Sequence, residues 1–416
     1  MTQPQIQIPL DLPNIRVENY EQTDKGLVIT VVSTNNTAVC RQCGRTIDKF
    51  HGYDKAITLR HLPIFDRPVW IRIRPKRFQC RYCDKGPVTT QRCEWYEPKS
   101  PHTKAYENWI LRELINSTLS DVSLKRDLSV ECIEGILDRH IQREVDWSAV
   151  PLLALLGIDE IALKKGHKDF VVIVSGLTAQ REKHILAVLP DRKKETVKAF
   201  LKLLPPRQCQ SIRHVCIDMN EGYCNAVLET LPKAQVVVDR FHVAKHYRDC
   251  ADKARKAEMK RLKQTLPESE YRELKGAMWA FRKPWNNLGE EQQVVLLSLF
   301  RQAPILKEVY VQREVLTGIF EKDLTKAQAE QALTQWLDRI TELGLDCFSP
   351  FVITLSNWRD HITNYFIRRE TSGFVEGLNN KIKVIKRRCY GIYNLGRLFQ
   401  HIWLDVQGPR TFFPEH

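Results

Sequence analysis

The stretch Val150-Pro-Leu-Leu-Ala-Leu-Leu-Gly-Ile-Asp-Glu160 is an apolar run that stops at two acids. It is too short to span a bilayer, which takes about 20 apolar residues, and its composition suits a buried strand. Similar runs follow. Asp169-Phe-Val-Val-Ile-Val-Ser175 and His184-Ile-Leu-Ala-Val-Leu189 read as buried strands, and Lys193–Leu204 reads as a helix. Val215-Cys-Ile-Asp218 and Val236-Val-Val-Asp239 are two further strands that end in acids.

An aspartate at a strand end is ordinarily a turn or cap residue, but the order of these elements says more. Strand, strand, strand, helix, strand is the order of a ribonuclease-H-like core. Its two central strands lie side by side, so Asp159 and Asp218 meet at one edge. Two carboxylates there are costly unless a divalent cation neutralises them. Two Mg2+ ions (or Mn2+) about 4 Å apart can activate an attacking oxygen and stabilise a leaving one in phosphodiester chemistry. A third acid normally completes such a site.

The third acid is found far downstream, in Ser372-Gly-Phe-Val-Glu-Gly-Leu-Asn-Asn-Lys-Ile-Lys-Val-Ile-Lys-Arg-Arg388. Five cations, Lys381, Lys383, Lys386, Arg387 and Arg388, accompany one carboxylate, Glu376. On a helix, Glu376, Asn380, Lys383 and Arg387 share one face, and Val375, Leu378, Ile382, Ile385 and Cys389 share the opposite one. The apolar side can bury on a sheet while Glu376 points at the two aspartates and the cations follow a DNA backbone. Without the upstream acids, this would be an ordinary amphipathic surface helix.

The chain has 416 residues, 64 Lys and Arg against 50 Asp and Glu, a net charge of +14 and a hydrophobic fraction of 43%. That size implies two to four domains with real cores. The positive excess favours a polyanionic partner, most simply nucleic acid or an anionic membrane surface. The N-terminus lacks the basic start and apolar core of a signal peptide, so we expect a cytoplasmic protein, nucleoid-associated when active. Twelve cysteines in such a chain imply reduced thiols and metal ligation.

Residues 1–98 are rich in strand composition, notably Gly26–Ser33 and Pro68–Arg74. Cys40-Arg-Gln-Cys43 and Cys80-Arg-Tyr-Cys83 each offer two thiolates at the bite of a structural Zn2+ site. Arg72, Arg74 and Arg77 lie beside them and suit DNA phosphates. Pro98–Pro101 reads as a linker. Thr103–Leu119, Asp121–Asp127 and Val130–Ile141 then suit a helix-turn-helix, with Ser120 and Ser129 as N-caps. The third helix carries Glu131, Glu134 and Asp138, so Lys125, Arg126, Arg139 and His140 would have to attract DNA. Residues 243–369 are helical, charged and dotted with Trp; one Trp could stack on a flipped base.

Together these residues resemble the ISL3 family of bacterial insertion-sequence transposases. The matching stretches are Cys40-x-x-Cys43, Arg77-Phe-x-Cys80-x-x-Cys83, Ile158-Asp159-Glu160, Asp218-Met-Asn, Asp239-Arg-Phe-His242-Val, Glu376-Gly-Leu-Asn-Asn-Lys-Ile-Lys and Lys386-Arg-Arg-Cys-Tyr-Gly391. The resemblance runs through nearly the whole chain. It implies a DDE catalytic triad of Asp159, Asp218 and Glu376 that binds Mg2+. Asp239, His242 and Asn380 stand as supporting residues, and Asp239 also competes for the second triad position. The implied fold is multidomain, α+β and α/β. It comprises a β-rich zinc module (1–98), a helix-turn-helix (99–148), a ribonuclease-H-like catalytic core (149–243 and 369–416) and an α-helical insertion (244–368). The implied function is cut-and-paste transposition. The partners are the element's terminal inverted repeats, target DNA and at least one further copy of the chain, with no membrane. A non-cutting DNA-binding regulator and a nuclease that only hydrolyses are the rival readings.

Overall fold

The computed structural model describes residues 10–163, 170–369, 373–389 and 394–413, with the Glu376 side chain outside that description. Tyr390 and Gly391 of the last motif also lie outside it. The chain divides into two compact units, residues 1–141 with 408–416, and residues 142–407. The final segment thus joins the first unit, whereas sequence order alone had assigned it to the catalytic core.

In the first unit, β1 (Ile15–Thr23), β2 (Gly26–Ser33), β6 (Ile57–Ile64) and β7 (Arg67–Ile73) form a sheet in the order β1-β2-β7-β6. Val69, Ile71 and Ile73 alternate inward and are fully buried. Two small sheets stand apart: β3 (Ala38–Val39) with β4 (Thr46–Ile47), and β5 (Lys49–Tyr53), β8 (Lys76–Gln79) and β9 (Val88–Thr90). Three helices follow, α1 (Lys104–Leu114), α2 (Leu119–Arg126) and α3 (Val130–His140). Ser129 caps α3 as expected, but Thr118, not Ser120, caps α2 by accepting the Asp121 N–H at 3.0 Å. Helix α2 ends at Asp127, whose φ of 48° turns the chain toward α3.

The second unit is organised on five strands, β10 (Leu153–Ala162), β11 (Phe170–Thr178), β12 (Lys183–Leu189), β13 (His214–Ile217) and β14 (Gln235–Val238). Their order is β12-β11-β10-β13-β14. Antiparallel pairing joins β10, β11 and β12, and parallel pairing joins β10, β13 and β14. On one face, α4 (Lys194–Leu201) and α6 (Glu221–Thr230), with α5 (Pro206–Ser211) between them in sequence, share a core with Leu156, Ile158, Val215 and Ile217. Helix α6 went unread in the sequence because its hydrophobic pattern is short and begins in the polar Asn220-Glu-Gly.

After β14, α7 (Arg240–Thr265) opens a helical insertion that continues through α8 (Glu268–Glu273), α9 (Ala277–Arg282), α10 (Glu290–Gln302), α11 (Pro304–Glu321), α12 (Lys326–Glu342) and α13 (Ser349–Thr363). Trp336, Phe348 and Phe351 are central in its core, whereas Trp279 is 60% exposed. Helix α14 (Gly373–Arg388) and α15 (Leu395–Val406) return to the sheet, and α16 (Gly408–Phe412) joins the first unit. Leu378, Ile382 and Ile385 of α14 pack with Leu398, Phe399 and Ile402 of α15 over Ile161, Val171, Ile173 and Ile185. Among the described residues no helix is long and apolar enough to cross a membrane.

This helical layer also buries His401, on α15, and the burial draws its imidazole down to about 4. An unfolded imidazole titrates near about 6.5. Between these values the unfolded chain binds the extra proton. The contribution of neutral His401 is therefore complete above about pH 6.5 and is lost as pH falls toward 4, by on the order of 3 kcal/mol. Chemical denaturation at pH 7 and pH 4.5 should show a smaller acid loss for His401→Phe than for the parent chain.

Candidate active site

The sheet order decides which acids can meet. Ile158 of β10 is in parallel register with Ile217 of β13, so the next residues stand side by side, Asp159 still within β10, which runs on to Ala162, and Asp218 just past the end of β13. Asp239 follows β14, one strand further out. It is 3% exposed and caps α7, accepting the Phe241 N–H at 2.9 Å.

Side-chain alternation sorts the acids at the end of β10. Gly157 and Asp159 face α14, and Ile158 and Glu160 face the α4–α6 side. Asp159 accepts a hydrogen bond from Asn379 Nδ2 of α14. Burial raises its carboxyl above the usual range, and the Asp218 charge adds to this. The Glu160 N–H and the positive charges of His242 and Lys383 act in the opposite sense. Asp218 receives His242 Nδ1 at 3.0 Å. Burial pushes Asp218 up, but the His242 hydrogen bond and charge outweigh it and hold the carboxyl below its ordinary value. Burial disfavours charge on His242, yet Asp218 first, and then Asp159 and Asp239, keep its imidazole above the ordinary value.

Glu160 braces the same loop from the other face. Its Oε1 accepts Tyr223 OH at 2.9 Å and Asn220 Nδ2 at 3.4 Å. Asn220 in turn caps α6 through the Gly222 and Tyr223 N–H groups. The Asp218–Asn220 turn is thereby tied to β10. This role was not visible in the sequence, because Tyr223 lies on a helix that had not been identified.

Helix α14 lies close to β10 because Gly157 has no side chain. A Cβ there would stand 2.6 Å from Val375 Cγ2 and 3.0 Å from Phe374 Cζ. Gly157→Ala should therefore lift the first turn of α14, costing about 1–3 kcal/mol. A lower thermal melting midpoint than that of the parent chain is the expected reading.

Position 376 is three residues before Asn379, so the backbone of α14 carries both on one side. Asn379 is 6% exposed and touches Asp159, whereas Asn380, the expected supporting residue, is exposed. The helical spacing had pointed to Asn380 alone, one residue on from the asparagine that meets Asp159. The five cations also divide. Lys381 donates to the Asp405 carbonyl, Lys386 to the Ala162 carbonyl, and Arg388 to Asp405 Oδ2 at 2.6 Å. Lys383 and Arg387 are exposed.

The four cysteines of the first unit form a second site. Cys40, Cys43, Cys80 and Cys83 are the only group of three or more His, Cys, Asp or Glu that comes together closely enough for one ion among the described residues, with all four Sγ within 4.8 Å. The Cys40–Cys83 and Cys43–Cys80 sulfurs are 4.0 and 3.8 Å apart. A ZnS4 tetrahedron with bonds of about 2.3 Å has edges of about 3.8 Å. The Gln42 and Tyr82 N–H groups point at Cys40 and Cys80 sulfur, at 3.5 and 3.4 Å. The Cys40 thiol is drawn down to about 6 by the Cys43 and Gln42 amides, while Cys83 is pushed up to about 12 by Cys43 and by burial. Four thiolates at this spacing need a cation, and the cluster is consistent with structural zinc.

The other candidate DNA contacts are partly committed within the first unit. Arg72 pairs with Glu21 at 2.6 Å, and Arg74 lies over the Tyr53 ring; the Asp54 carboxyl is held below its usual range by the Thr90 hydroxyl and the Lys55 N–H, with a smaller contribution from the Arg77 charge. Arg126 stacks on Trp109 and pairs with Glu113 at 3.0 Å; Lys125 is exposed. Arg139 and His140 are consumed by Glu107, a buried acid that also accepts Ser100 Oγ at 2.7 Å. Burial raises the Glu107 carboxyl, but His102, His140 and Arg139 together hold it well below the usual range. These residues stabilise the three-helix packing, so Arg139 and His140 are engaged within the protein.

Two regions of the chain match known families. Residues 156–402 match the ISL3-type DDE transposase family, and residues 36–83 match the zinc-finger of the transposases of IS204, IS1001, IS1096 and IS1165. The transposase for insertion sequence element IS1001 of Bordetella parapertussis is 31% identical over 380 residues, covering 90% of each chain. The transposase for IS1557 of Mycobacterium tuberculosis is 23% identical over 428 residues, covering 97% of this chain and 94% of the relative. With its four-cysteine module and its mixed sheet, the chain belongs to the ISL3 family of DDE transposases.

Proposed function

We propose that the chain binds the terminal inverted repeats of its own insertion sequence, cuts there, and joins the freed 3′-hydroxyl to target DNA in the same site. The observation that carries this reading is the juxtaposition of Asp159 and Asp218 on adjacent parallel strands, beneath the helix that bears Glu376. The sheet order supports a ribonuclease-H-like core interrupted by the helical insertion.

Asp159, Asp218 and Glu376 are the residues that would hold Mg2+. The donor set fits, since hard carboxylate oxygens suit that ion and burial penalises the two aspartates without a cation. Magnesium, when bound, supplies Lewis-acid activation of the attacking oxygen and stabilisation of the leaving one. The chain's own groups hold this arrangement. Asn379 fixes the Asp159 carboxylate, and His242 fixes that of Asp218. Glu160 holds the turn that follows β13. Lys383 and Arg387 are exposed on α14, where they can take phosphates of the bound strand. No covalent enzyme–DNA bond is required, because water and the 3′-hydroxyl are the nucleophiles. In the first unit the four cysteines would hold Zn2+ as a structural ion, with the basic surface beside it gripping DNA. Synapsis of two ends calls for at least a dimer.

The test is incubation of purified protein with labelled element ends, Mg2+ and a target plasmid. Joined products are expected. Cut ends alone would reduce the reading to a nuclease, and a gel shift without cutting would reduce it to a regulator.

A further inference from the structure

We propose that a pocket between the first turns of α7 and helix α9 receives a single nucleotide unstacked from the DNA strand beside the cleavage point. This rests on the transposition reading and adds a ligand site to it. The pocket has a volume of about 400 Å³ and lies within the second unit. That is within the range of small-molecule sites, about 300–1,000 Å³, and accommodates a base with its sugar.

Its position comes from helix periodicity. Phe241, Lys245, Arg248 and Asp252 recur at spacings of four, three and four, and all line the pocket from α7. The residue after Phe241 is His242, which is bonded to Asp218. Phe241, the first of these lining residues, is thus next in sequence to a residue that holds a candidate catalytic carboxylate.

Its chemistry suits a nucleotide. The Phe241 ring, in the first turn of α7, is 46% exposed and offers a flat apolar face. A base can stack there whatever its identity, since every base has a π face. Lys245 and Arg248 are exposed on the same side and can take the phosphates flanking that base. The buried acid of the pocket does not oppose them. Asp252 accepts Arg255 Nε at 2.8 Å and Arg282 at 3.1 and 2.7 Å, so its charge is met within the protein. The same bonds hold the Arg282 guanidinium in the pocket wall as a fixed planar donor. Asp249, also on the lining, is outnumbered by these cations.

The experiment uses the full-length chain and a duplex carrying the element end, read from the DNA flanking the gene. 2-Aminopurine replaces single bases across the element boundary, and Ca2+ replaces Mg2+ during binding. A fluorescence rise at one position is expected. Phe241→Ala should abolish that rise, keep the gel shift, and slow cleavage in Mg2+ on the order of 10- to 100-fold. Phe241→Trp should restore the rate, and a duplex abasic at the responding position should be cut equally by parent and Phe241→Ala. Lys245→Ala with Arg248→Ala should weaken the signal without removing the gel shift. Trp279→Ala, which alters an exposed aromatic lining another pocket, should leave the rise unchanged. The proposal is overturned by a rise that survives Phe241→Ala, by one lost only in Trp279→Ala, or by no rise anywhere while the ends are still bound and cut. That last result would leave the transposition reading standing, whereas failure of the parent chain to bind its ends would remove both.

Discussion

Asp218→Ala is expected to lower cleavage and strand transfer by about 10³-fold or more while end binding changes little. Loss on that scale follows removal of a group that acts chiefly in the transition state. Asp159→Ala and Glu376→Ala should behave alike. Asp239→Ala supplies the contrast. Its carboxylate is committed to the Phe241 N–H as the cap of α7, one strand away from Asp159. Its loss should cost about 0.5–2 kcal/mol of stability, the usual worth of an N-cap, with cleavage well above that of Asp218→Ala. Thermal melts of both variants, alongside cleavage of a labelled end, separate the two effects. Strand transfer retained in Asp218→Ala and lost in Asp239→Ala would move the second acid to Asp239.

Removing the thiolate cluster should have an equally large but local effect. Cys40, Ile47, Phe78 and Cys80 make up the small core around the knuckles, with Ala38 and Cys83 packed against it and the Phe50 ring edge-on to Phe78. A core of that size does not hold a fold by itself. Structural zinc contributes on the order of 10 kcal/mol in comparable modules. Chelation, or Cys80→Ser, should therefore unfold the segments around residues 38–53 and 76–90 and lose end binding. The β1-β2-β7-β6 sheet has its own core of Ile29, Val31, Leu59, Val69, Ile71 and Trp95 and should persist. Hydrogen exchange with and without chelator, together with metal analysis, checks both statements. A metal-free chain in which the knuckles remain protected would refute the zinc assignment.

The candidate site was legible wherever local pattern and element order sufficed. The apolar runs ending at Asp159, Asp218 and Asp239 became β10, β13 and β14, and the order of strands put Asp218 beside Asp159. The buried stripe of α14 fell where the periodicity of Val375, Leu378, Ile382 and Ile385 put it. The two CxxC pairs closed into one cluster across an intervening segment of more than thirty residues, because matched knuckles need each other's thiolates to complete a tetrahedron.

What failed to be legible was the fate of particular polar groups. Asn379 and Asn380 are adjacent and chemically identical, and only the docking angle of α14 at Gly157 chooses between them. Lys381, Lys386 and Arg388 look like a track for DNA until Asp405 and the Ala162 carbonyl are brought to them from elsewhere in the chain. Arg139 and His140 look like contacts for DNA until a buried Glu107 claims them. Sequence by itself determined where apolar surface must be buried and which acids end the strands, because burial and periodicity are local properties of the chain. Tertiary structure decided which charges remain available to a ligand, because that depends on partners distant in sequence, and a buried charge takes its partner first.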